Sequence, residues 1–334
     1  MRKQKMRKVL GAVVSVFVVV AVVFFADVAR SEYPERPVTI MVGFAPGGLT
    51  DIITRALAVG ASSYLKQPIV IENKGGGGGA VALGVTATTK PDGYSLCMVQ
   101  NASIVDTALM QKVSFKPLKS FTPVTTFAAS EHSALLVRKD APWQTIKEFL
   151  DYAKQNPGKI KYSTTGVGTG MHVAMEVVAK KDGIKWVHIP CQGGVAARTA
   201  LMGEQVHACS YGVDFPPFVQ SGDFRVLATH GSTRSPHFPD VPTFYELGYD
   251  FRSTTSHCIV GPAGLPAEVV SKLETAIVKG METPEFKTAR ERLYLSPLHY
   301  NSKELDRSLR ERWTSIEKLF KDIGLIQEAA TQPE

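Results

Sequence analysis

VTIMVGFAPGGLTDIITRAL, residues 38–57, is the stretch whose reading decides the fold. Val38–Phe44 is an apolar, β-branched run of strand type. Ala45-Pro46-Gly47-Gly48 breaks it. Ile52, Ile53, Ala56 and Leu57 then recur at helical spacing, with Thr50 or Asp51 placed to cap the helix. A strand that ends in a Gly-rich turn and opens a helix aims free backbone N–H groups at one spot, where the helix dipole adds partial positive charge. The result is an anion site built without a cationic side chain. Many such turns bind nothing, so the stretch needs a partner. KIKYSTTGVGTGMHVAMEVV, residues 159–178, supplies one. A strand, Ile160–Ser163, enters a Thr/Gly-rich loop, Thr164–Gly170, and a helix follows with Val173, Val177 and Val178 on one face. Two such units facing each other would hold an anion between two lobes.

Strand and helix patterns alternate outward from these units, which makes the chain α/β. Pro68–Glu72 is a short strand, Asn73–Gly79 a glycine loop and Ala80–Thr89 a small-residue helix. The five-glycine run lacks the Lys-Ser/Thr of a P-loop and the spacing of a dinucleotide fingerprint, so its expected role is close packing of the helix on the sheet. Ser95–Val99 is a strand with Gln100, Asn101, Ala102 and Ser103 just past its end, where ligands collect in open α/β sheets. Asn101 and Ser103 are therefore site candidates, with helix capping as the competing role. Phe115–Ser130 contains prolines and reads as irregular. Strands follow at Ser133–Val137, Trp186–Ile189, Val206–Tyr211, Arg225–Thr229 and Thr254–Val260, with an amphipathic helix over Ala141–Asn156. Pro190–Gly194 is a loop leading into a helix, Val195–Met202. Beyond the break at Gly261–Pro266, two helices close the chain, Ala267–Met281 and Lys303–Ile323.

The 334 residues are 44% hydrophobic and 21% charged, an ordinary globular composition with room for two cores. Residues 1–31 differ. Arg2, Lys3, Lys5, Arg7 and Lys8 precede the apolar run Val9–Ala26, and Ala29-Arg30-Ser31 offers a small-x-small cleavage site. This is a secretory signal peptide, with an uncleaved membrane anchor as the minority reading. Six Lys/Arg and one acid lie within it, so of 38 basic and 31 acidic residues 32 and 30 remain, a net charge of +2. That balance gives no licence for nucleic-acid binding. Cys97, Cys191, Cys209 and Cys258 make no CxxC or zinc spacing, and three of them sit in apolar strand-like runs. Four free thiols are expected. The eight His form no HxH or HxxxH pair, so no metal site is expected.

Catalysis would need a nucleophile with a base. His172 opens a helix, Cys191 lies in a loop, and Asp51 or Asp214 would have to orient the pair. This Cys/His hydrolase reading requires three proximities, and Cys191 carries no nucleophile motif. Binding is the favoured reading. A nucleotide site would rest on the glycines alone.

The segments YPERPVTIMVGFAPGGLTD, PIVIENKGGGGGAVALG, KPDGYSL, NPGKIKYSTTGVGTGMH, IPCQGGVAARTALMGEQV, FRVLATHGSTRSPHFPDVPTFYELGY and VGPAGLPAEVVSKL occur in this order. Together they resemble the solute-binding receptors of tripartite tricarboxylate transporters, the Bug family, over nearly the whole chain after the leader. The resemblance implies an α/β, two-lobed periplasmic binding protein fold of type II, a Venus-flytrap with an interlobe cleft and hinge. Residues 32–130 and 258–334 would form lobe 1, and 131–257 lobe 2. It also implies a periplasmic, monomeric receptor without cofactor or catalysis. Such a receptor captures a di- or tricarboxylate or an aromatic acid and hands it to the large and small subunits of a membrane permease. Presentation of the ligand to a membrane sensor is the alternative use of the same binding mode. Carried over residue by residue, the carboxylate site would comprise Phe44, Ala45, Gly47, Gly48 and Asp51 from one lobe and Thr165, Thr169 and His172 from the other. Family members commonly have Tyr-Lys where this chain has Cys191-Gln192, so Cys191 borders the pocket where the ligand's far end would differ from the usual dicarboxylate. Asp214, with Tyr211 and Phe215, would line that far side. His207, where an Asp is common, is expected away from the cleft.

Overall fold

The computed structural model describes residues 33–251 and 254–326. The signal peptide expected over residues 1–31 lies outside them. Among the described residues the chain begins with β1 (Val38–Val42), α1 (Leu49–Leu65), β2 (Ile69–Asn73), α2 (Ala80–Thr86), β3 (Ser95–Gln100), α3 (Asn101–Ile104), α4 (Asp106–Met110) and β4 (Phe121–Ser130). It continues with β5 (Ala134–Arg138), α5 (Ile146–Gln155), β6 (Lys161–Thr164), α6 (Gly170–Asp182), β7 (Val187–Pro190), α7 (Gly194–Met202), β8 (Ala208–Tyr211), α8 (Pro216–Gln220) and β9 (Phe224–Thr229). It ends with β10 (Thr255–Pro262), α9 (Ala267–Glu282), α10 (Pro284–Arg292) and α11 (Ser302–Asp322).

The strands form two five-stranded sheets, ordered β2-β1-β3-β10-β4 and β7-β6-β8-β5-β9. Both belong to one compact unit that begins at Arg36. β1 and β3 are buried along almost their whole length, as a strand covered by helices on both faces must be. β1 runs parallel to β2 (Val38↔Ile69) and to β3 (Thr39↔Ser95), and β10 runs antiparallel to β3 and β4. The second sheet repeats the plan: β6 is parallel to β7 and β8, and β5 is antiparallel to β8 and β9. The chain passes between sheets twice, from β4 to β5 and from β9 to β10. These crossings lie side by side. Ser130 pairs with Thr255, the Ser130 hydroxyl meets His257 Nε2 at 2.9 Å, and the His230 N–H donates to the Ser133 carbonyl at 2.7 Å.

Three sequence expectations need correction. Phe121–Ser130, read as irregular because of its prolines, is a ten-residue strand. β4 sits at the sheet edge, where a proline such as Pro123 is tolerated. A third C-terminal helix, α10, stands between the two expected; Thr283 caps it and Pro284 occupies its first turn. The helix after β5 begins at Ile146 rather than Ala141, because the Thr145 hydroxyl accepts the Glu148 N–H and sets the start there.

α11 returns to the first sheet. Asn301 and Glu304 form a reciprocal capping box at its start, and Leu305, Leu309, Trp313, Ile316 and Phe320 form its buried stripe. Midway along it, Arg312 grips Asp106 of α4 with two parallel bonds, Nε to Oδ1 at 2.7 Å and a second to Oδ2. The carboxylate is fully buried. Arg312→Leu removes one partner and leaves a buried charge uncompensated, at a cost of about 3–5 kcal/mol. We expect a correspondingly lower urea midpoint, with the fluorescence and circular dichroism transitions still coincident.

Candidate functional site

The first strand–turn–helix unit forms as the sequence reading anticipates, but it is capped differently. Gly48 is the N-cap of α1, and no side chain caps the helix; Thr50 and Asp51 lie inside its first turn. Asp51 instead braces the loop. Its Oδ2 accepts the Gly47 N–H at 2.9 Å, and its Oδ1 accepts Arg55 Nε at 2.9 Å and Asn73 Nδ2 at 3.0 Å. Asn73 Nδ2 also donates to the Phe44 carbonyl. Burial alone would raise the Asp51 pKa, but these donors outweigh it and hold the carboxylate below its usual range. The leading N–H groups of α1 therefore stay free of side-chain caps.

The second sheet contributes two loops. In the loop from β6 to α6, the Thr169 hydroxyl donates to the Gly166 carbonyl at 2.9 Å, and the Gly168 N–H donates to His172 Nδ1 at 3.2 Å. The His172 ring stacks on His188, with centroids 3.9 Å apart, and His188 Nε2 meets the Thr164 hydroxyl at 2.7 Å. Burial, then the neighbouring His188, pushes the His172 pKa down to about 3; burial alone lowers His188 to about 4. In the loop from β7 to α7, Gly193 is the N-cap, again without a capping side chain.

The two sets of loops close on each other. The Ala45 N–H donates to the Gln192 carbonyl at 3.2 Å. The glycines permit the approach. A Cβ on Gly168, whose φ is +74°, would lie 2.3 Å from Thr107 Cα, and one on Gly78, at φ +65°, would lie 2.4 Å from the Val167 carbonyl oxygen. Between the lobes lies a small cavity. The start of α1 lines it with Gly48, Leu49 and Thr50, and the start of α7 with Gly193, Gly194 and Val195. Phe44, Ala45, Gln100, Thr165, Met171, Gly212 and Asp214 complete the walls, and Ser130, Ser133 and Thr255 lie where the chain crosses between sheets. No Lys, Arg or His lines it, and Asp214 is its ionisable side chain.

Of the residues singled out in the sequence, Phe44, Ala45, Gly48, Thr165 and Asp214 reach the cavity wall. Gly47, Asp51, Asn101, Ser103, Thr169, His172 and Cys191 do not. Gly47 and Asp51 are joined to each other. Asn101 Oδ1 accepts the N–H of Ala102 at 2.8 Å and of Ser256 at 3.2 Å, tying β3 to β10. Ser103 is fully buried beneath Gly79. Thr169 and His172 are spent on the shape of their own loop. Cys191 Sγ points at the Ile189 carbonyl, 3.7 Å away, and burial raises its pKa. His172, Cys191, Asp51 and Asp214 thus have separate partners and form no relay. Phe215 packs on Phe238 in the core, and His207 bonds Lys161. All four cysteines are free, and among the described residues no cluster of His, Cys, Asp and Glu has the makings of a metal site. The sequence reading placed the helix start at Val195 but did not count Gly193, Gly194 and Val195 among the site residues. Their signal was present as Gln192-Gly193-Gly194 before a helical run, the same glycine-then-helix pattern as in the first unit.

A cleft between two α/β lobes, entered by two uncapped helix starts, defines the class of solute-binding proteins. The profile of the tripartite tricarboxylate transporter family receptor matches residues 53–325, and the chain belongs to this family. A relative in Cupriavidus necator, described as a UPF0065 protein in the gbd 5′ region, is 33% identical over 90% of this chain and 92% of its own. The solved structure of periplasmic binding protein BugD superposes with a TM-score of 0.82 at 31% identity, over 88% of this chain and 99% of that one. MatC of Rhodopseudomonas palustris, solved with bound malate, superposes at 0.80 with 27% identity, covering 86% and 99%.

The stacked His172–His188 pair sets an acid limit on the loop. Both rings are neutral in the fold and take up protons near pH 6.5 once unfolded. Their contribution to stability is complete above about pH 6.5 and is lost as the pH falls toward 4 and then 3. Urea midpoints measured from pH 7 downward should therefore fall, and His172→Gln should flatten part of that slope.

Proposed function

We propose that this chain is an extracytoplasmic receptor that captures a small organic carboxylate between its lobes and delivers it, without turnover, to the large and small subunits of a tripartite membrane transporter. The carrying observation is the cavity wall. Two glycine-capped helix starts, one from each lobe, line the same space, and no cationic side chain does. Backbone donors at two positive helix ends suit a carboxylate. They also suit release, since a buried pair of arginines would hold the anion more tightly.

In this reading one lobe comprises residues 32–130 with 258–334, the other 131–257, and the two crossings between sheets are the hinge. The sheet membership of β1–β4 and β5–β9 supports the division. Closure about the hinge would bury the ligand, and the closed form is what the permease would recognise. The basic, apolar leader supports a periplasmic location, as does the BugD likeness. The malate held by MatC supports a carboxylate ligand. Phe44, Ala45, Gly48 and Thr165 are the proposed carboxylate contacts, with Gly193, Gly194 and Val195 added. Asp51, Thr169 and His172 are the residues that shape the loops.

The test is thermal unfolding of residues 32–334, stripped of endogenous ligand by partial unfolding and dialysis, against carboxylates, amino acids, nucleotides and neutral sugars. A ligand at ~100 times its Kd adds ~2.7 kcal/mol. A rise confined to carboxylic acids is expected; a response confined to nucleotides or sugars overturns the reading. Gly48→Val places branched carbons in the anion's path while keeping an ordinary backbone, since Gly48 has φ −83°. It should abolish the rise with little change in the unliganded midpoint.

A further inference from the structure

Resting only on the division into two lobes made above, we propose that the second half of α11 is a strap. It is anchored on the first lobe, laps along α6 of the second, and holds the lobes together even when the cleft is empty. The starting observation is the burial of α6. A helix laid on the outer face of a sheet buries one stripe, as α5 does with Ile146, Phe149, Leu150 and Ala153. In α6 every residue from Gly170 to Ala179 except Glu176 is buried. Burial all round requires more cover than a single sheet gives. The second sheet lies on one side, where the Ser210 hydroxyl donates to the Met171 carbonyl at 3.0 Å. The 244–251 segment of the same lobe closes the far end, where the Tyr249 hydroxyl donates to Asp182 at 2.6 Å. The first lobe supplies further cover at both ends.

α4 meets the loop that opens α6: the Thr107 hydroxyl donates to the Val167 carbonyl at 3.3 Å. α11 meets the opposite end. Lys180 Nζ donates to the Gly324 carbonyl at 3.3 Å, and Leu319 and Ile323 share a groove with Val177. One turn earlier, Ile316 lines a second groove with Phe251. The two helices keep step. The grip of Arg312 on Asp106 sets α11 beside Thr107. Asp322, the last residue of α11, stands roughly 15 Å beyond Arg312, the same rise that separates Gly170 from Lys180 on α6.

α11 thus bridges the lobes, and parting them breaks its hold on one. On the first lobe the hold is the buried, bidentate Asp106–Arg312 pair, with the Ser302 hydroxyl donating to the Pro123 carbonyl of β4 at 2.7 Å. On the second it is an exposed lysine–carbonyl bond and partly buried apolar side chains. A hydrogen bond at the surface contributes far less than a buried charge pair costs to break, so the second hold is the one that yields. Together with the Ala45–Gln192 and Thr107–Val167 bonds, the strap makes closure a property of the chain itself. The affinity for any ligand in the cleft then scales with the fraction of empty receptor that is closed, which residues far from the cavity wall determine.

The experiment measures the radius of gyration of residues 32–334, stripped of endogenous ligand, by small-angle X-ray scattering. The unmutated protein should give the radius calculated for the closed arrangement. The double variant Leu319→Ala with Ile323→Ala removes the apolar part of the lap and should enlarge the radius. Lys180→Met removes the bond to Gly324 and should enlarge it by less. Far-UV circular dichroism should stay unchanged in both, since neither lobe loses a core residue. An unmutated protein already at the larger radius overturns the strap, as does a radius unmoved by the variants. If the double variant unfolds, Lys180→Met decides: as a surface change it keeps the fold, and an unchanged radius there overturns the strap. No ligand enters the measurement, so a failed strap leaves carboxylate capture standing, and a failed carboxylate panel leaves the strap standing.

Discussion

The hydrogen bond from the Ala45 N–H to the Gln192 carbonyl joins the two loops on which everything at this site depends. Each loop ends where a helix begins, and each helix begins on a glycine that brings no capping oxygen. A Ser or Asp at those positions would stabilise the helix and consume the N–H groups that a ligand needs. The missing caps are therefore a local cost, offset by a brace behind the loop. Asp51 ties Gly47, Arg55 and Asn73 together, and Asn73 reaches on to Phe44. The donors are held in place by side chains that do not touch the cavity.

The crossings between the sheets, the proposed hinge, follow the same economy. Only two segments cross between the sheets, and they are bound to one another where they cross. Each sheet puts its parallel strands on one side and an antiparallel pair, which carries the crossings, on the other. Gly78, Gly166 and Gly168 then set how near the lobes come, because backbone meets backbone there.

Much of this was legible in the chain itself. The run from Val38 to Leu57 announces a parallel strand, a turn and a helix, and the second such run announces a second lobe. The cavity wall was harder to read. Asp51, Thr169 and His172 have the right chemistry in the right loops, yet their polar atoms are turned back on the backbone. No pattern of residue types distinguishes a hydroxyl that faces a ligand from one that faces Gly166. Gln100 ends β3 and Asn101 opens α3, and only Gln100 reaches the cavity wall, while Asn101 Oδ1 accepts the N–H groups of Ala102 and Ser256. The glycines of the second loop read as an anion cradle because a glycine that yields to a ligand and a glycine that yields to Thr107 look alike. Phe121–Ser130 was hidden for another reason: whether a proline breaks a strand depends on its place in the sheet, which is decided by residues far away in the chain.

Recognition through main-chain N–H groups has an evolutionary side. A point mutation replaces a side chain and leaves the peptide group where it was, so in the proposed binding mode the carboxylate half of the site would be shielded from most substitutions in its own loops. Side chains elsewhere on the cavity wall, such as Gln100 and Asp214, have no such protection. A receptor built this way could drift to a new cargo one side chain at a time without losing its grip on an acid group. This would be a route by which one scaffold diversifies among relatives that share about a third of their residues or fewer with this chain.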